Sequence, residues 1–127
     1  MGTDITLHAE IKFNDEWHHY SELHIKRFYD LFAYMANVRN TGQIIPISSP
    51  KGLPDDITAV TRLHFKMKER DAYNMSWLSS AEAKKLFSIA YTRPNDHCED
   101  FGYLFGSSYS SYIEDIQDYR FVMWFRS

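Results

Sequence analysis

Hydrophobic and polar residues alternate strictly over positions 4–13 of the chain. Alternate side chains of a β-strand point to opposite faces, so this pattern predicts a strand with one apolar and one polar face. The apolar row is Ile5, Leu7, Ala9, Ile11 and Phe13, and the polar row is Asp4, Thr6, His8, Glu10 and Lys12. We expect the apolar row to pack against a core and the polar row to form a solvated face.

Two further strands are predicted at the beginning and the end of the chain. Asn14 and Asp15 separate the first strand from a second alternating run at 16–20, which favours a hairpin because both residues tolerate positive φ. The closing stretch 119–125 is apolar on both faces. Such a strand lies in the middle of a covered sheet or at an interface, which makes a homodimer plausible.

Three amphipathic helices are predicted between these strands. The first spans about 27–37. The second follows Asp55 or Asp56 as its cap and runs to about 70, and the third opens at Ser79 and Glu82, which have capping-box spacing. The expected buried stripe of the second helix is Ile57, Val60, Leu63 and Met67. With a short strand at 103–105 and a Ser/Tyr-rich loop at 106–112, the order β-β-α-α-α-β-β predicts an α+β fold in a single domain, 1–127.

Composition and charge exclude several classes of protein. The net charge is −3 and no Lys/Arg run exists to neutralise a phosphate backbone, so duplex nucleic acid is not an expected partner. No apolar run is long enough for a membrane span, and no signal peptide is apparent. Cys98 is the single cysteine, which fits a reducing compartment. We therefore expect a cytoplasmic protein that folds without a cofactor.

Short motifs follow one another in a recognisable order along nearly the whole chain. They are Gly2-x-Asp4-Ile5, Tyr29-x-Leu31-Phe32, Val38-Arg39-Asn40, Pro46-Ile47-x-x-Pro50-Lys51-Gly52-Leu53-Pro54-x-Asp56, Ser76-Trp77-Leu78, Phe105-Gly106 and Tyr119-Arg120-Phe121-Val122-Met123-Trp124-Phe125. In this order they resemble a widespread family of small, functionally uncharacterised proteins of tailed bacteriophages and prophages. The resemblance implies a protein that acts inside an infected bacterium.

Departures from the family pattern bear on chemistry. The resemblance implies histidine where this chain has Thr6, and a His-Ser-x-Ser-Trp-Leu run where it has Tyr73-Asn74-Met75-Ser76-Trp77-Leu78. If relatives use those histidines for metal binding or catalysis, this chain lacks part of the equipment. The departures count against an enzymatic function for this chain.

The sharpest candidate for chemistry is the set Asp4, His8 and Glu10 on the polar row. Alternate residues on one strand face lie about 6.5–7 Å apart, so Asp4 and His8 are too distant to share one metal unaided. His8 and Glu10 would instead need a third ligand from His18, His19 or His64. The alternative is a solvated sheet face with a cross-strand charge network.

A second set of candidates suits ligand binding rather than catalysis. Aromatic side chains near loops can stack on a nucleobase or anchor a protein partner, and an arginine at a helix end can bind a phosphate or a carboxylate. These candidates are Arg39, Tyr73, Trp77, Tyr109 and Tyr112. The alternative is that the tyrosines line the rim of a small core.

No catalytic nucleophile is predicted. Cys98 lies among acidic residues, which disfavour its thiolate, and the chain has neither a nucleophile-elbow motif nor a phosphate-binding glycine loop. The favoured hypothesis is a non-enzymatic phage accessory protein that inhibits a bacterial defence system. It would bind a host defence protein or sequester a small nucleotide signal. The alternatives are a small metal-dependent hydrolase at Asp4, His8 and Glu10, and a structural component of the virion.

Overall fold

A computed structural model describes residues 2–91 and 116–127 of the chain. These residues form four strands and three helices. In chain order the elements are β1 (Asp4–Phe13), β2 (Glu16–Leu23), α1 (Tyr29–Ala36), α2 (Ala59–Lys68), β3 (Tyr73–Ser79), α3 (Ser80–Tyr91) and β4 (Asp118–Arg126). The predicted α+β class is confirmed.

The four strands form one antiparallel sheet in the order β2-β1-β4-β3. The C-terminal strand β4 therefore lies inside the sheet, between β1 and β3. This position explains why β4 is apolar on both faces, because helices cover both sides of it. The apolar faces that made a homodimer plausible are thus used within the chain.

A two-residue turn connects β1 to β2, as predicted. Phe13 pairs with Glu16, and the intervening Asn14 and Asp15 have φ of 50° and 62°. Positive φ at both positions is typical of the type I′ turn, whose twist matches that of the paired strands. Further along, the pairing register shifts between Ala9 and Glu10, which is a β-bulge in the hairpin.

The main core lies between one sheet face and the helices α1 and α3. Here the predicted apolar row of β1 meets Phe32 and Leu86 from the helices. The buried sheet residues of this core are Leu7, Ala9, Leu23, Leu78, Phe121, Met123 and Phe125. The capping box predicted for α3 is confirmed: the Glu82 N–H donates to Ser79 Oγ at 3.3 Å, and the Ser79 N–H donates to Glu82 Oε1 at 3.0 Å.

The opposite sheet face is also covered, which corrects the expectation of a solvated face. Helix α2 lies over it, and Phe65 of that helix packs against Trp124 with ring centroids 5.3 Å apart. His8 and Glu10 of the polar row are 2% and 0% exposed. The middle of the polar row, Thr6, His8 and Glu10, is therefore an interior layer, while Asp4 at its end is exposed.

The predicted buried stripe of α2 is wrong for three of its four residues; Ile57, which precedes the helix, is buried as predicted. Val60, Leu63 and Met67 are 55%, 63% and 77% exposed, and Thr61 is the buried residue of this helix. Because α2 begins at Ala59 and is fixed by polar contacts to the sheet, its apolar stripe points away from the core.

Strand β3 is not among the predicted elements, because the polar stretch near residue 73 is typical of a connection. The predicted strand at 103–105, the loop at 106–112 and Cys98 lie outside the described residues. No helix in the described part of the chain is long and apolar enough to cross a membrane.

Candidate functional site

The buried polar face contains the carboxylate of Glu10, which contacts two other elements, β4 and the start of α2. Arg120 of β4 lies opposite Glu10 of β1. Its Nε donates to Glu10 Oε1 at 2.8 Å, and its Nη2 lies 2.8 Å from the same oxygen and donates to the Asp56 carbonyl at 3.1 Å. The other oxygen, Oε2, accepts from the Thr58 N–H at 3.1 Å and from Thr61 Oγ1 at 2.8 Å. Both carboxylate oxygens are therefore occupied by donors from the protein.

This carboxylate takes the place of the predicted helix cap. Thr58 is the N-cap residue of α2, and its backbone N–H donates to Glu10 rather than to Asp55 or Asp56. A negative charge at a helix N-terminus is favourable because the first N–H groups have no partner within the helix. Glu10 thus fixes the start of α2 on the sheet.

Arg120 extends the same network to the surface. Its Nη1 donates to Asp56 Oδ1 at 2.7 Å, and this hydrogen bond holds the pKa of Asp56 below its usual value. The guanidinium carbon also lies 4.0 Å from the centroid of the Trp17 ring. Arg120 therefore joins the buried ion pair to an aromatic surface residue.

Three histidines form a continuous chain next to this network. His8 Nδ1 lies 2.9 Å from His19 Nε2, and His8 Nε2 lies 2.7 Å from His64 Nδ1. Glu22 follows, with its Oε1 3.8 Å from His64 Nδ1. We call His8, His19, His64 and Glu22 the histidine cluster.

The β-bulge explains how His19 and Glu22 come to lie on one sheet face. Residues three apart on a regular strand point to opposite faces. The register shift makes Tyr20 an extra residue of β2, so His19 lies opposite Glu10 while Glu22 lies opposite His8. An extra residue of this kind redirects side chains, as bulges commonly do near functional sites.

Burial keeps the central histidine neutral. It lowers the pKa of His8 to about 3, and the neighbouring rings of His64 and His19 add to the effect. Burial also lowers the pKa of His64, although Glu22 opposes this. A neutral imidazole donates from one nitrogen and accepts at the other, which matches the two contacts of His8.

A cleft opens on the same sheet face, toward the hairpin end that α2 does not cover. Its volume is about 610 Å³, and its lining is Trp17, Lys51, Leu53, Pro54, Asp55, Asp56, Trp77, Ser79, Asp118, Tyr119 and Arg120. We call this space the tryptophan cleft. Lys51 Nζ lies 3.9 Å from the centroid of the Trp77 ring and pairs with Glu82.

The predicted ligand-binding residues fall in different places. Trp77 lines the tryptophan cleft. Arg39 and Tyr73 meet elsewhere, where Arg39 Nε and the Tyr73 hydroxyl donate to Thr3 Oγ1 at 2.8 Å and 3.2 Å. Tyr109 and Tyr112 lie outside the described residues.

The predicted metal residues Asp4, His8 and Glu10 are not brought together. Asp4 is exposed and accepts a 2.7 Å hydrogen bond from Arg27. Glu10 is occupied by Arg120, Thr58 and Thr61. Among the described residues, the metal-ligating atoms that lie close together belong to His8, Glu22 and His64. His8 is therefore the one member of the predicted set that lies in such a group.

Glu22, Arg120 and Trp17 are site residues that the sequence pattern does not reveal. In a regular hairpin register Trp17 pairs with Lys12, so the sequence could have placed Trp17 on the polar face of the sheet. No sequence signal indicates the bulge that redirects Glu22, and Arg120 lies within an otherwise apolar strand.

Comparison with protein families, with curated proteins and with solved structures finds no match to this chain.

We expect the Glu10–Arg120 pair to dominate the stability of this face. Arg120→Met leaves a buried carboxylate without its counter-ion, so the free energy of unfolding should fall by about 3–5 kcal/mol. The double variant Glu10→Gln/Arg120→Met should lose less than the two single losses added, because a neutral amide in place of the carboxylate needs no counter-ion. Urea denaturation of the single and double variants measures this.

The control is the exposed pair between Arg27 and Asp4. Arg27→Met should lower the free energy of unfolding by less than about 1 kcal/mol, because an exposed ion pair is well solvated and screened. Equal losses for Arg27→Met and Arg120→Met would contradict the role given to the buried pair.

We also expect the metal-free protein to lose stability as the pH falls from 7 to 5. Folded His8 stays neutral down to its pKa of about 3, whereas the unfolded side chain takes up a proton near 6.5. Below pH 6.5 the unfolded chain thus binds a proton that folded His8 does not, so acid favours unfolding. His8 contributes at most about 1.4 kcal/mol per pH unit.

Urea denaturation at pH 5, 6 and 7 with a chelator present measures this dependence. The charged and titratable groups around His8 are His19, Glu22, His24, His64 and Lys68. His8→Gln should reduce the slope, while His18→Gln, at an exposed position of β2, should leave it unchanged. An unchanged slope in His8→Gln would argue against a neutral buried His8.

Proposed function

We propose that this protein is a non-enzymatic binding protein whose tryptophan cleft receives a basic side chain of a protein partner. The observation that carries the proposal is the chemistry of the cleft: Asp55 and Asp118 have no ion pair among the described residues, and the two indole rings beside them already hold Arg120 and Lys51 of the chain against their faces. Indole faces attract cations, and arginine is the cation that stacks best on them.

The charges of the cleft favour a cation over an anion. Lys51 and Arg120 are both committed, Lys51 to Glu82 and Arg120 to Glu10 and Asp56. Asp55 and Asp118 also line the cleft, and neither has an ion pair within the described part of the chain. Lys12 lies opposite Asp118, but Lys12, Lys51 and Arg120 together are outnumbered by the carboxylates at the cleft and its paired partners, so a phosphate is disfavoured here and with it the nucleotide-sequestering alternative.

The resemblance to phage proteins supplies the proposed partner. A small acidic protein made during infection, with an aromatic and acidic cleft, suits a role as an inhibitor that occupies a basic surface of a host defence protein. Such a surface would present arginine or lysine side chains, as sites that bind nucleic acids or nucleotides do.

The binding proposal is tested with a fluorescein-labelled peptide of six arginines. We expect fluorescence polarisation to show saturable binding that weakens as salt is added, because salt screens the carboxylates. Trp77→Ala and Asp118→Asn should each weaken binding at least fivefold. Glu69→Gln, which removes an exposed carboxylate outside the cleft, is the matched control and should bind as the unmodified chain does.

Two results would overturn this assignment. One is binding that Trp77→Ala and Asp118→Asn leave unchanged, which would place the peptide elsewhere on the acidic surface. The other is failure of the arginine peptide together with binding of a cyclic dinucleotide, which would support sequestration of a nucleotide signal.

The inhibitory role predicts a phenotype in infected cells. Producing the chain in bacterial strains that each carry one defence system should raise the plating efficiency of a sensitive phage on at least one strain. Trp77→Ala should abolish that gain, and Glu69→Gln should preserve it. No gain on any strain, or a gain that survives Trp77→Ala, would contradict inhibition through the cleft.

A further inference from the structure

We propose that His8, His64 and Glu22 form a binding site for a zinc ion, with His19 orienting His8 from behind. The three ligand side chains come from β1, α2 and β2, and their ligand atoms all lie within 4.8 Å of one another. Two imidazoles and one carboxylate are a donor set that suits Zn²⁺, which accepts both nitrogen and oxygen ligands.

The observed spacings bracket those of a tetrahedral zinc site. Zinc–ligand bonds of about 2.0–2.2 Å at tetrahedral angles separate two ligand atoms by about 3.3–3.6 Å. His8 Nε2 and His64 Nδ1 are 2.7 Å apart, and His64 Nδ1 and Glu22 Oε1 are 3.8 Å apart. Small rotations of His64 and Glu22 would equalise these distances.

The surroundings permit such rotations while holding His8 in place. His8 is buried and stacks on Trp124 with ring centroids 5.5 Å apart. The side chains of His64 and Glu22 are 21% and 35% exposed, so they have room to move and leave a path for the ion to enter. The site therefore combines one fixed ligand with two adjustable ones.

His19 supplies the outer contact that metal-binding histidines usually have. With a proton on His8 Nδ1, this nitrogen donates to His19 Nε2 across 2.9 Å, and the Nε2 of His8 then carries the lone pair that a metal needs. In the metal-free protein that lone pair accepts from His64 Nδ1 instead. The zinc ion would replace this single hydrogen bond.

The attachment of α2 gives the site a structural role. Thr61 is the buried residue of this helix, and the apolar stripe Val60, Leu63 and Met67 faces outward. The helix is thus held by few apolar contacts, and a metal shared by β1, β2 and α2 would fasten it to the sheet. Three protein ligands leave the fourth position for water, whereas purely structural zinc sites usually fill it with a fourth side chain.

Calorimetric titration of the chelator-treated full chain with ZnCl₂ tests the proposal. We expect one Zn²⁺ to bind per chain and the melting temperature to rise with zinc concentration, because a ligand of the folded state stabilises it. His64→Gln and Glu22→Gln should each weaken zinc binding at least tenfold. Loss of a residue that only hydrogen-bonds to a metal ligand already costs that much, so loss of a ligand should cost no less. His18→Gln is the matched control and should bind zinc normally.

Cobalt gives an independent readout of the ligand set. Co²⁺ in a four-coordinate site absorbs visible light strongly, and this absorption should be lost in His64→Gln. Absence of zinc binding would overturn the proposal. So would zinc binding that both His64→Gln and Glu22→Gln retain, since the ion would then lie elsewhere. Neither result bears on peptide binding at the tryptophan cleft, whose variants are different.

Discussion

The buried ion pair between Glu10 and Arg120 is the interaction on which the second sheet face depends. A carboxylate that is fully removed from water is costly unless donors surround it. Here the donors come from β4 and from the first turn of α2, so the carboxylate joins these two elements. Since α2 turns its apolar stripe outward, this polar contact does the positioning that apolar packing performs for α1 and α3. The position of α2 then determines which half of the face is enclosed and which half stays open.

Placing α2 over one half of the face creates two distinct chemical environments. Beneath the helix, His8 is enclosed and kept neutral between His19 and His64. Beyond the helix, the face stays open and forms the tryptophan cleft, with Arg120 shared between the buried pair and the cleft wall. The enclosed half favours ligation of a metal by neutral imidazoles, and the open, acidic half favours a cationic side chain.

The sequence predicts the fold better than it predicts the site. Strict alternation in β1 and the Asn14–Asp15 turn identify the hairpin, and the two apolar faces of the closing strand indicate a central position. Alternation also misleads, because a polar row is expected to face water, whereas Glu10 and His8 are buried beneath a distant segment of the chain that supplies Thr58 and His64 as their partners. The bulge at Tyr20 has no local signal, yet it decides that Glu22 joins His8 and His64. Likewise, spacing of three and four marks the apolar stripe of α2 but not the direction in which it points.

The charges of the tryptophan cleft decide which ligand we propose for it. The two indole rings alone do not favour a nucleotide over a basic side chain. Stacking on indole is common to nucleobases and guanidinium groups, so the aromatic rings leave the choice open. The neighbouring ions decide it: both cations of the cleft are already paired, whereas Asp55 and Asp118 have no ion pair among the described residues. We therefore propose a ligand that brings positive charge, since the carboxylates at the cleft outnumber its cations even when Lys12, opposite Asp118, is counted. The position of α2 also separates the two proposed sites. The proposed zinc ligands His8, Glu22 and His64 lie beneath this helix or on it, while Asp55 and Asp118 line the cleft beyond it.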